Sequence, residues 1–586
     1  MPFSNPDAAA VFDEIADLLE VHGGNAFRVR AYRNAARTLR DYPRNVKEML
    51  DAGEDLDDLP GIGRDLAGKI AEIVTTGTCA QLESLRKEVP HGIVELLQLP
   101  GLGPKRVQLL FEALGVKSLE ELKQAAEEGR VHALRGFTPA GEKRILDAVL
   151  ARMQTERRLP LARAFPVAGA LLGALRAMPG VPQAVAAGSL RRMRDTVGDL
   201  DLLVTAAADS PVMDRFVALP EVERVLSHGG TRSSVVLRNG LQVDLRAVAP
   251  ESFGSAWLYF TGSKAHNIAL RTIAQDQGLK LNEYGLFRGE RRVAGATEEE
   301  VYGALRLPWI PPELREDRGE IAAAQAGRLP ATLQLADLRG DLHVHTTDSD
   351  GQDGLEAMAR AAQARGLRYL AVTDHSPRLA VVHGLTADRL ARQADAIDAL
   401  NAKLEGITLL KGIEVDILED GRLDLPDRVL GRLDLVVGAI HHAFDLPPER
   451  QTDRILRAMD HPHFSILAHP TSRLLDERAP CAFDLERVLR HARDRGCFLE
   501  LNAQPARLDL DDRACRMARD AGVLVSIASD AHGRWELDFL RWGVGQARRG
   551  WLEPAQVLNT RPLAQLRRLL AATMGRAAPS SAAQPA

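Results

Sequence analysis

The spacing of apolar residues divides the chain into regions of different texture. In the opening AAAVFDEIADLLEVHG, Val11, Phe12, Ile15, Leu18 and Leu19 recur at helical intervals. Similar stretches punctuated by glycine turns continue to about residue 150, which predicts an almost wholly helical region. From about 160 to 310 the runs become short and β-branched (LDLLVTA, SSVVLRN, LQVDLRAV), as expected of strands in an α/β domain. Residues 311–336 carry few large apolar side chains and several Pro, Gly and Ala, and read as an interdomain linker with one short helix. From 337 to about 575, strand-like runs (LRYLAVTDH, GITLLKGIEVDI, LDLVVGAIHH, FSILAHP, CFLELNA, VLVSIASDAH) alternate with helical segments. That rhythm predicts repeated βα units and a largely parallel sheet or barrel. The final GRAAPSSAAQPA is too poor in apolar bulk to fold and is expected to be disordered.

A chain of 586 residues exceeds one hydrophobic core, and about three to five domains are expected. A hydrophobic content of 45% and a charged content of 26% suit a globular protein. No apolar run approaches the roughly 20 residues of a membrane span, and the N-terminus has no basic segment followed by an apolar one. The four cysteines are scattered without a CxxC pair, which argues against a cysteine metal site or a disulfide framework. A cytoplasmic location without membrane attachment is therefore expected. The net charge of −5 does not point to nucleic acid, but seven basic residues against one acidic residue between Arg28 and Lys47 do. Eleven of the 16 histidines lie after residue 337, the skew a histidine-rich metal site leaves.

Two segments share one design: LPGIGRDLAGKIAEI (59–73), with Gly61 and Gly63, and LPGLGPKRVQLLF (99–111), with Gly101 and Gly103. Each places a Gly-apolar-Gly turn before an amphipathic helix. The turn lets a phosphate approach the backbone, and the helix offers free N–H groups and its positive dipole end. A glycine-bent helix connection explains one copy; two copies, both preceded by Leu-Pro, favour binding of DNA backbone. LRGFTPAGEKRIL (134–146) is a weaker third copy. The pattern resembles the helix-hairpin-helix motif.

In AAGSLRRMRDTVGDLDLLV (186–204), Asp199 and Asp201 alternate on a strand and face the same side. The later strand GLQVDLRAV supplies Asp244. Three carboxylates on neighbouring strands can hold the two Mg²⁺ ions of a phosphoryl-transfer site. Gly188, Ser189, Arg191 and Arg192 stand where a triphosphate could be received.

This segment closely resembles the palm signature of family X DNA polymerases, and the resemblance continues through LYFTGSKAHNIALR (258–271) and LNEYGLF (281–287). It implies that Arg192 binds the incoming dNTP triphosphate with Ser189. It further implies that Tyr259, Phe260 and Gly262 line the sugar, Asn267 touches the base edge and Arg271 the template side. Lys264 and Gln242 depart from the animal relatives, which have an acidic and a basic residue there. The N-terminal region resembles the lyase domain of those relatives, with Lys69 at the position of the Schiff-base lysine. An amine nucleophile needs a lowered pKa; the other reading is that Lys69 binds phosphate.

In LRGDLHVHTTDSDG, His343 and His345 alternate on a strand and Asp350 follows in the next loop. His375, Glu414, His441, His469, Asp530 and His532 then sit at the ends of successive apolar runs. In a parallel βα barrel those ends converge on one face. Nine N and O ligands could hold up to three divalent ions, Mn²⁺, Zn²⁺ or Fe²⁺, with Glu414 bridging two. The order of motifs resembles the PHP domain, a distorted seven-stranded βα barrel, over about 337–570. In bacterial family X polymerases such a domain follows the polymerase core. There it implies Mn²⁺-stimulated 3′–5′ exonuclease activity, sometimes with abasic-site or 3′-phosphate processing.

The expected fold is thus multidomain: an all-α helix-hairpin-helix region, an α/β palm and thumb, and a C-terminal (βα)7 PHP barrel. The divisions are a lyase-like domain (1–80), a fingers-type domain (81–155), a palm (156–250) and a thumb-like subdomain (251–315), followed by a linker (316–336), the PHP region (337–575) and a tail (576–586). The expected protein is a monomer that fills short gaps in gapped or nicked DNA during base excision repair and trims 3′ ends. AP lyase or AP endonuclease activity stays open. The alternative is a small-molecule nucleotidyltransferase fused to a histidinol-phosphatase-like phosphoesterase.

Overall fold

The computed structural model describes residues 5–21, 25–41, 46–59, 61–88, 93, 96, 99, 102–156, 158–207, 210–379, 382–475 and 477–574. Gly101 and the tail 576–586 lie outside the described residues. The chain forms two compact units, Met1–Arg157 and Arg158–Ala586.

The first unit is helical, as the apolar spacing predicts. Phe12, Ile15 and Leu18 on the helix Asn5–Val21 are at most 1% exposed, and Phe12 meets Tyr32 of the helix Ala26–Asp41 with ring centroids 5.6 Å apart. The glycine turns repeat one backbone hydrogen bond. Ile62 N–H donates to Leu59 C=O (3.0 Å), Leu102 N–H to Leu99 C=O (3.1 Å) and Phe137 N–H to Leu134 C=O (3.1 Å). The apolar residue of each turn is buried while Gly61 and Gly63 are exposed, so the turn is pinned from below and open above. Gly61 and Gly136 take φ of +75° and +93°, the left-handed region that glycine enters at no steric cost.

The second unit opens with a five-stranded mixed sheet: β1 (Gln183–Ala186), β2 (Asp199–Thr205), β3 (Val222–His228), β4 (Arg232–Leu237) and β5 (Gln242–Val248), in the order β1-β2-β5-β4-β3. Leu200 and Leu202 of β2 are 0% and 2% exposed and turn into the core, which leaves Asp199 and Asp201 on the opposite face. β2 and β5 are parallel, with Asp201 beside Asp244.

The helices Phe253–Thr261 and Lys264–Asp276 and a small antiparallel sheet follow. The stretch 316–336, expected as a linker, is packed into this region. Its helix Glu320–Gln325 places Ala324 in the same core as Leu270 and Tyr302, and Glu320 accepts from buried His266 Nδ1 at 2.6 Å. Small and scattered apolar residues pack here beside the Glu320–His266 pair, a combination that a count of large apolar residues does not reveal.

A buried ion triad joins these elements. The Glu298 carboxylate accepts from both ends of Arg315 (2.7 and 2.9 Å) and of Arg191 (2.7 and 2.8 Å). Burial would raise the Glu298 pKa, but the two guanidiniums outweigh it and hold the acid down at about 2. Its contribution to stability is therefore complete above the ordinary value of 4.5 and is lost as pH falls toward 2. Glu298→Gln should cost about 3–5 kcal/mol at neutral pH, because two buried guanidiniums lose their counter-charge. Urea unfolding of both proteins at pH 7 and pH 3 measures this, and the gap between them should narrow at the lower pH.

From residue 340 onward the named strands pair in parallel: β6 (Gly340–Val344), β7 (Tyr369–Val372) and β8 (Thr408–Lys411) in one sheet, and β9 (Glu414–Asp416), β10 (Val437–Ala439), β11 (Ile466–Leu467), β12 (Phe498–Asn502) and β13 (Val525–Ala528) in another. The sheets are linked by bridges between Val344 and Ala531 and between His375 and Glu414. The helix Leu540–Arg549 carries Trp542 into the core beneath the palm, where its ring meets Phe165 edge-on at 5.2 Å. No helix among the described residues is long and apolar enough to cross a membrane.

Candidate active sites

The palm cleft is built where β2 and β5 present their acids. Carboxylate oxygens of Asp199, Asp201 and Asp244 all lie within 4.8 Å of one another. Burial and the other two acids push Asp201 up to about 7; burial and Asp244 raise Asp199. Such a cluster stays ionised only beside positive charge, and divalent cations fit it. Ser234 Oγ donates to Asp244, and Gln242 Nε2 donates to the other carboxylate oxygen at 3.0 Å. The departure at Gln242 thus has a local role. Gly188, at φ +60°, abuts Asp201 so closely that a Cβ there would lie 2.1 Å from Oδ2.

A cavity of about 610 Å³ adjoins the acids. Gly188, Ser189, Arg192, Tyr259, Phe260, Gly262, Asn267 and Arg271 all line it, together with Asp199 and Asp201. Ser189 Oγ is buried without a hydrogen-bond partner, as a group awaiting an anionic ligand would be. Asn267 Nδ2 donates to Tyr259 C=O (2.7 Å), which commits half of that amide to fixing the aromatic pair. Arg158, Arg194 and Lys264 also face the cavity. Arg158 escaped sequence reasoning because it lies outside the palm motif, and Arg194, within that motif, because its position alone assigns it no role.

The histidine pocket forms where strand ends converge. Glu414, 1% exposed, splits its two oxygens between different groups. Oε2 lies 3.5 Å from His343 Nε2 and 2.7 Å from His375 Nδ1, while Oε1 lies 3.2 Å from His441 Nε2 and 2.9 Å from His469 Nε2. His343 and His345 bring their Nε2 atoms within 3.2 Å, and His345 Nε2 lies 3.1 Å from Asp530 Oδ1. Asp350 approaches His375 at 3.5 Å and His532 at 3.4 Å. All nine expected ligands therefore meet in one pocket. His375 Nδ1 and Glu414 Oε2 are buried and close yet share no hydrogen bond, and two imidazole nitrogens face each other at 3.2 Å. Both features suit ligands converging on cations.

Burial opposes charge on His375 and His532, but neighbouring Glu414, Asp350 and Asp530 hold them up at about 10 and about 9. His345 moves the other way, to about 3, through burial and the adjacent His532 and His375.

Sequence reasoning missed the groups that aim the ligands. Glu500 accepts from His343 Nδ1 (2.7 Å) and from the His469 N–H (2.6 Å); Asp416 accepts from His441 Nδ1 (2.5 Å). For Asp416 a signal was available, an acid two positions along the strand from Glu414, since metal-binding histidines usually donate their second nitrogen to a carboxylate; Glu500 lies on a strand that carries none of the nine.

In the first unit, Gly63 and Gly103 precede the helices Arg64–Thr76 and Pro104–Leu114 as their N-caps. Among the described residues, no atom beyond the adjoining ones lies within 4 Å of a Cβ placed on either glycine. Lys69 Nζ lies 2.5 Å from Asp65. Burial would lower its pKa, but Asp65 and Tyr32 outweigh this and raise it, opposite to what an amine nucleophile needs. Arg33 of the basic stretch pairs with Asp13 at 3.4 Å and with Asp17, so part of that charge is already compensated.

The chain matches a helix-hairpin-helix domain over residues 3–79 and a SAM-like helix-hairpin-helix tandem over 93–149. It also matches the DNA polymerase beta thumb over 256–316 and the PHP domain over 341–504. It is 40% identical over 561 residues, 95% of this chain and 97% of the relative, to DNA polymerase/3′-5′ exonuclease PolX of Bacillus subtilis. It is 26% identical to DNA polymerase lambda of Arabidopsis thaliana over 54% of this chain and 62% of that one. A "probable phosphatase" of Thermoanaerobacter sp. is 29% identical over 38% of this chain and 89% of its own length.

Proposed function

Because the chain belongs to the family of DNA polymerase/3′-5′ exonuclease PolX, family X DNA polymerases with a PHP domain, we propose that its two sites divide the labour of one reaction cycle. The chain is a DNA-directed DNA polymerase and a 3′–5′ exonuclease. Synthesis belongs to the palm cleft and excision to the histidine pocket. The observation that carries this reading is the presence of two unlike ligand sets, one of carboxylates and one dominated by imidazoles.

In synthesis, the primer 3′-oxygen attacks the α-phosphorus of a dNTP and pyrophosphate leaves. Asp199, Asp201 and Asp244 hold the cations; Ser189 and Arg192 receive the triphosphate. Tyr259, Phe260 and Gly262 face the sugar, Asn267 the base edge and Arg271 the template side. Divalent ions, two Mg²⁺ in the palm and up to three Mn²⁺ or Zn²⁺ in the histidine pocket, would supply activated oxygen nucleophiles and neutralise phosphate charge. The hairpins at Gly61, Gly63, Gly101 and Gly103 grip the DNA backbone without reading sequence. Lys69 suits phosphate binding better than Schiff-base chemistry. Filling short repair gaps in the cytoplasm is part of the same proposal.

The small-molecule alternative has no support in a chain so similar along its length to a DNA polymerase. The test is a gapped oligonucleotide duplex, first in Mg²⁺ and then in Mn²⁺, with dNTPs present or omitted. The gap should fill when dNTPs are present, and the 3′ end should shorten when they are omitted. Absence of incorporation would overturn the polymerase assignment.

A further inference from the structure

Arg192 borders the nucleotide cavity, but the groups that hold it come from outside the palm. Its Nε donates to Glu316 Oε1 at 3.0 Å and its Nη1 donates to Thr261 C=O. The same Glu316 oxygen accepts from Arg549 Nη1 at 2.9 Å. Arg549 ends the helix Leu540–Arg549, and its Nη1 also donates to the main-chain oxygen of Arg192 at 2.8 Å. Arg549 is itself anchored, with Nη2 donating to Asp512 Oδ2 at 2.6 Å, an oxygen that Arg318 shares at 3.0 Å. The loop beyond Arg192 is seated on this helix as well. Met193, at φ +54°, lies against Gly545, where a Cβ would come within 2.5 Å of its Cε.

We propose that Glu316 and Arg549 are positioning residues for polymerisation, through which the C-terminal metal-pocket domain holds Arg192 ready for the incoming triphosphate. This rests on the reading of Arg192 as a triphosphate ligand. The physical case is one of charge and geometry. Two guanidiniums, with side chains 11% and 3% exposed, sit on one carboxylate that is 9% exposed. Without Glu316 they repel each other in a poorly solvated place, and Arg192 must move. With it, Nε and Nη1 are committed to protein acceptors and the guanidinium plane is fixed before nucleotide arrives. Arg549 contributes what a lysine cannot, a fork that serves Glu316, Asp512 and a backbone oxygen at once.

The test measures steady-state incorporation of one dNTP into a gapped duplex by the full-length chain, with exonuclease activity measured on a single-stranded oligonucleotide. Glu316→Ala and Arg549→Ala should raise the KM for dNTP about tenfold or more, the scale of a small displacement of a positioned group. Their kcat should change far less, and exonuclease activity should be unaltered. Arg549→Lys should fall between wild type and Arg549→Ala. Arg192→Ala is the control, and its KM should rise at least as far. A raised KM in Arg192→Ala beside unchanged or lowered values in the other two would overturn the clasp alone. An unchanged KM in Arg192→Ala would overturn the pocket reading with it. If Arg549→Ala fails to fold in thermal melts, Glu316→Gln decides. It keeps a hydrogen-bonding amide but loses the charge, and an unchanged KM there would overturn the proposal.

Discussion

Asp201→Ala is expected to stop primer extension while 3′–5′ excision continues. Asp201 lies at the centre of the acidic cluster, beside Asp244 across the parallel pair and against the Gly188 backbone. Its pKa near 7 reports how strongly burial and the two flanking acids act at that point. The three carboxylates are the proposed cation seat, and a cation clamp in phosphoryl transfer is worth several kcal/mol. Loss of about 4–5 kcal/mol corresponds to roughly a 10³-fold fall in rate at 1.36 kcal/mol per decade. The substitution also relieves repulsion among buried like charges, so the variant should be no less stable than the parent. Rapid-quench incorporation of one nucleotide into a gapped duplex, beside degradation of a labelled single strand, measures both activities. Equal loss of both in a folded protein would refute the assignment of separate sites.

The ligand-bearing positions were legible because their chemistry coincides with secondary-structure punctuation. Asp199 and Asp201 keep the two-residue period that puts them on one face of β2. The histidines fall at the ends of apolar runs, and parallel strands bring such ends together. The third glycine turn was legible for a similar reason, since Leu134 and Phe137 repeat the spacing of Leu59 and Ile62. Residues that act through others left no such trace. Asp416, two positions beyond Glu414, is a partial exception, but Glu500 orients an imidazole from the interior of β12, where a lone acid is ordinary in sequence and costly only once buried. Glu316 and Glu320 lie in a stretch whose few apolar residues suggested a linker. Their partners Arg549 and His266 are 233 and 54 residues away in sequence, distances at which periodicity carries no information. Long-range polar pairing joins the palm to the parallel-strand region beside the apolar contacts of Leu508 and Trp542, and neither kind of contact is marked by local periodicity.

His343→Ala should do the reverse of Asp201→Ala, removing excision and leaving gap filling within about twofold of the parent. His343 joins the two halves of its pocket. Nδ1 is fixed by Glu500 at 2.7 Å, while Nε2 faces Glu414 at 3.5 Å and His345 at 3.2 Å. Removing the ring subtracts a ligand and leaves Glu500, 1% exposed, without its imidazole donor, although the His469 N–H and Asn502 Nδ2 still donate to its other oxygen. A modest loss of stability is therefore expected, on the order of 1–3 kcal/mol for a buried polar group that loses a partner. Excision should fall about 10³-fold or more, because the proposed ligand set then lacks one of the groups that faces Glu414. Chelation cannot make this distinction, since both sites use divalent cations and both would stop. Asp530→Asn provides the independent check. It keeps the hydrogen bond from Asn502 and the local shape but removes charge from the same pocket, so it should spare folding and still abolish excision. Excision that survives in both variants would place the nuclease somewhere other than the histidine pocket. Synthesis lost in both, with the fold intact, would mean that the two activities share one centre.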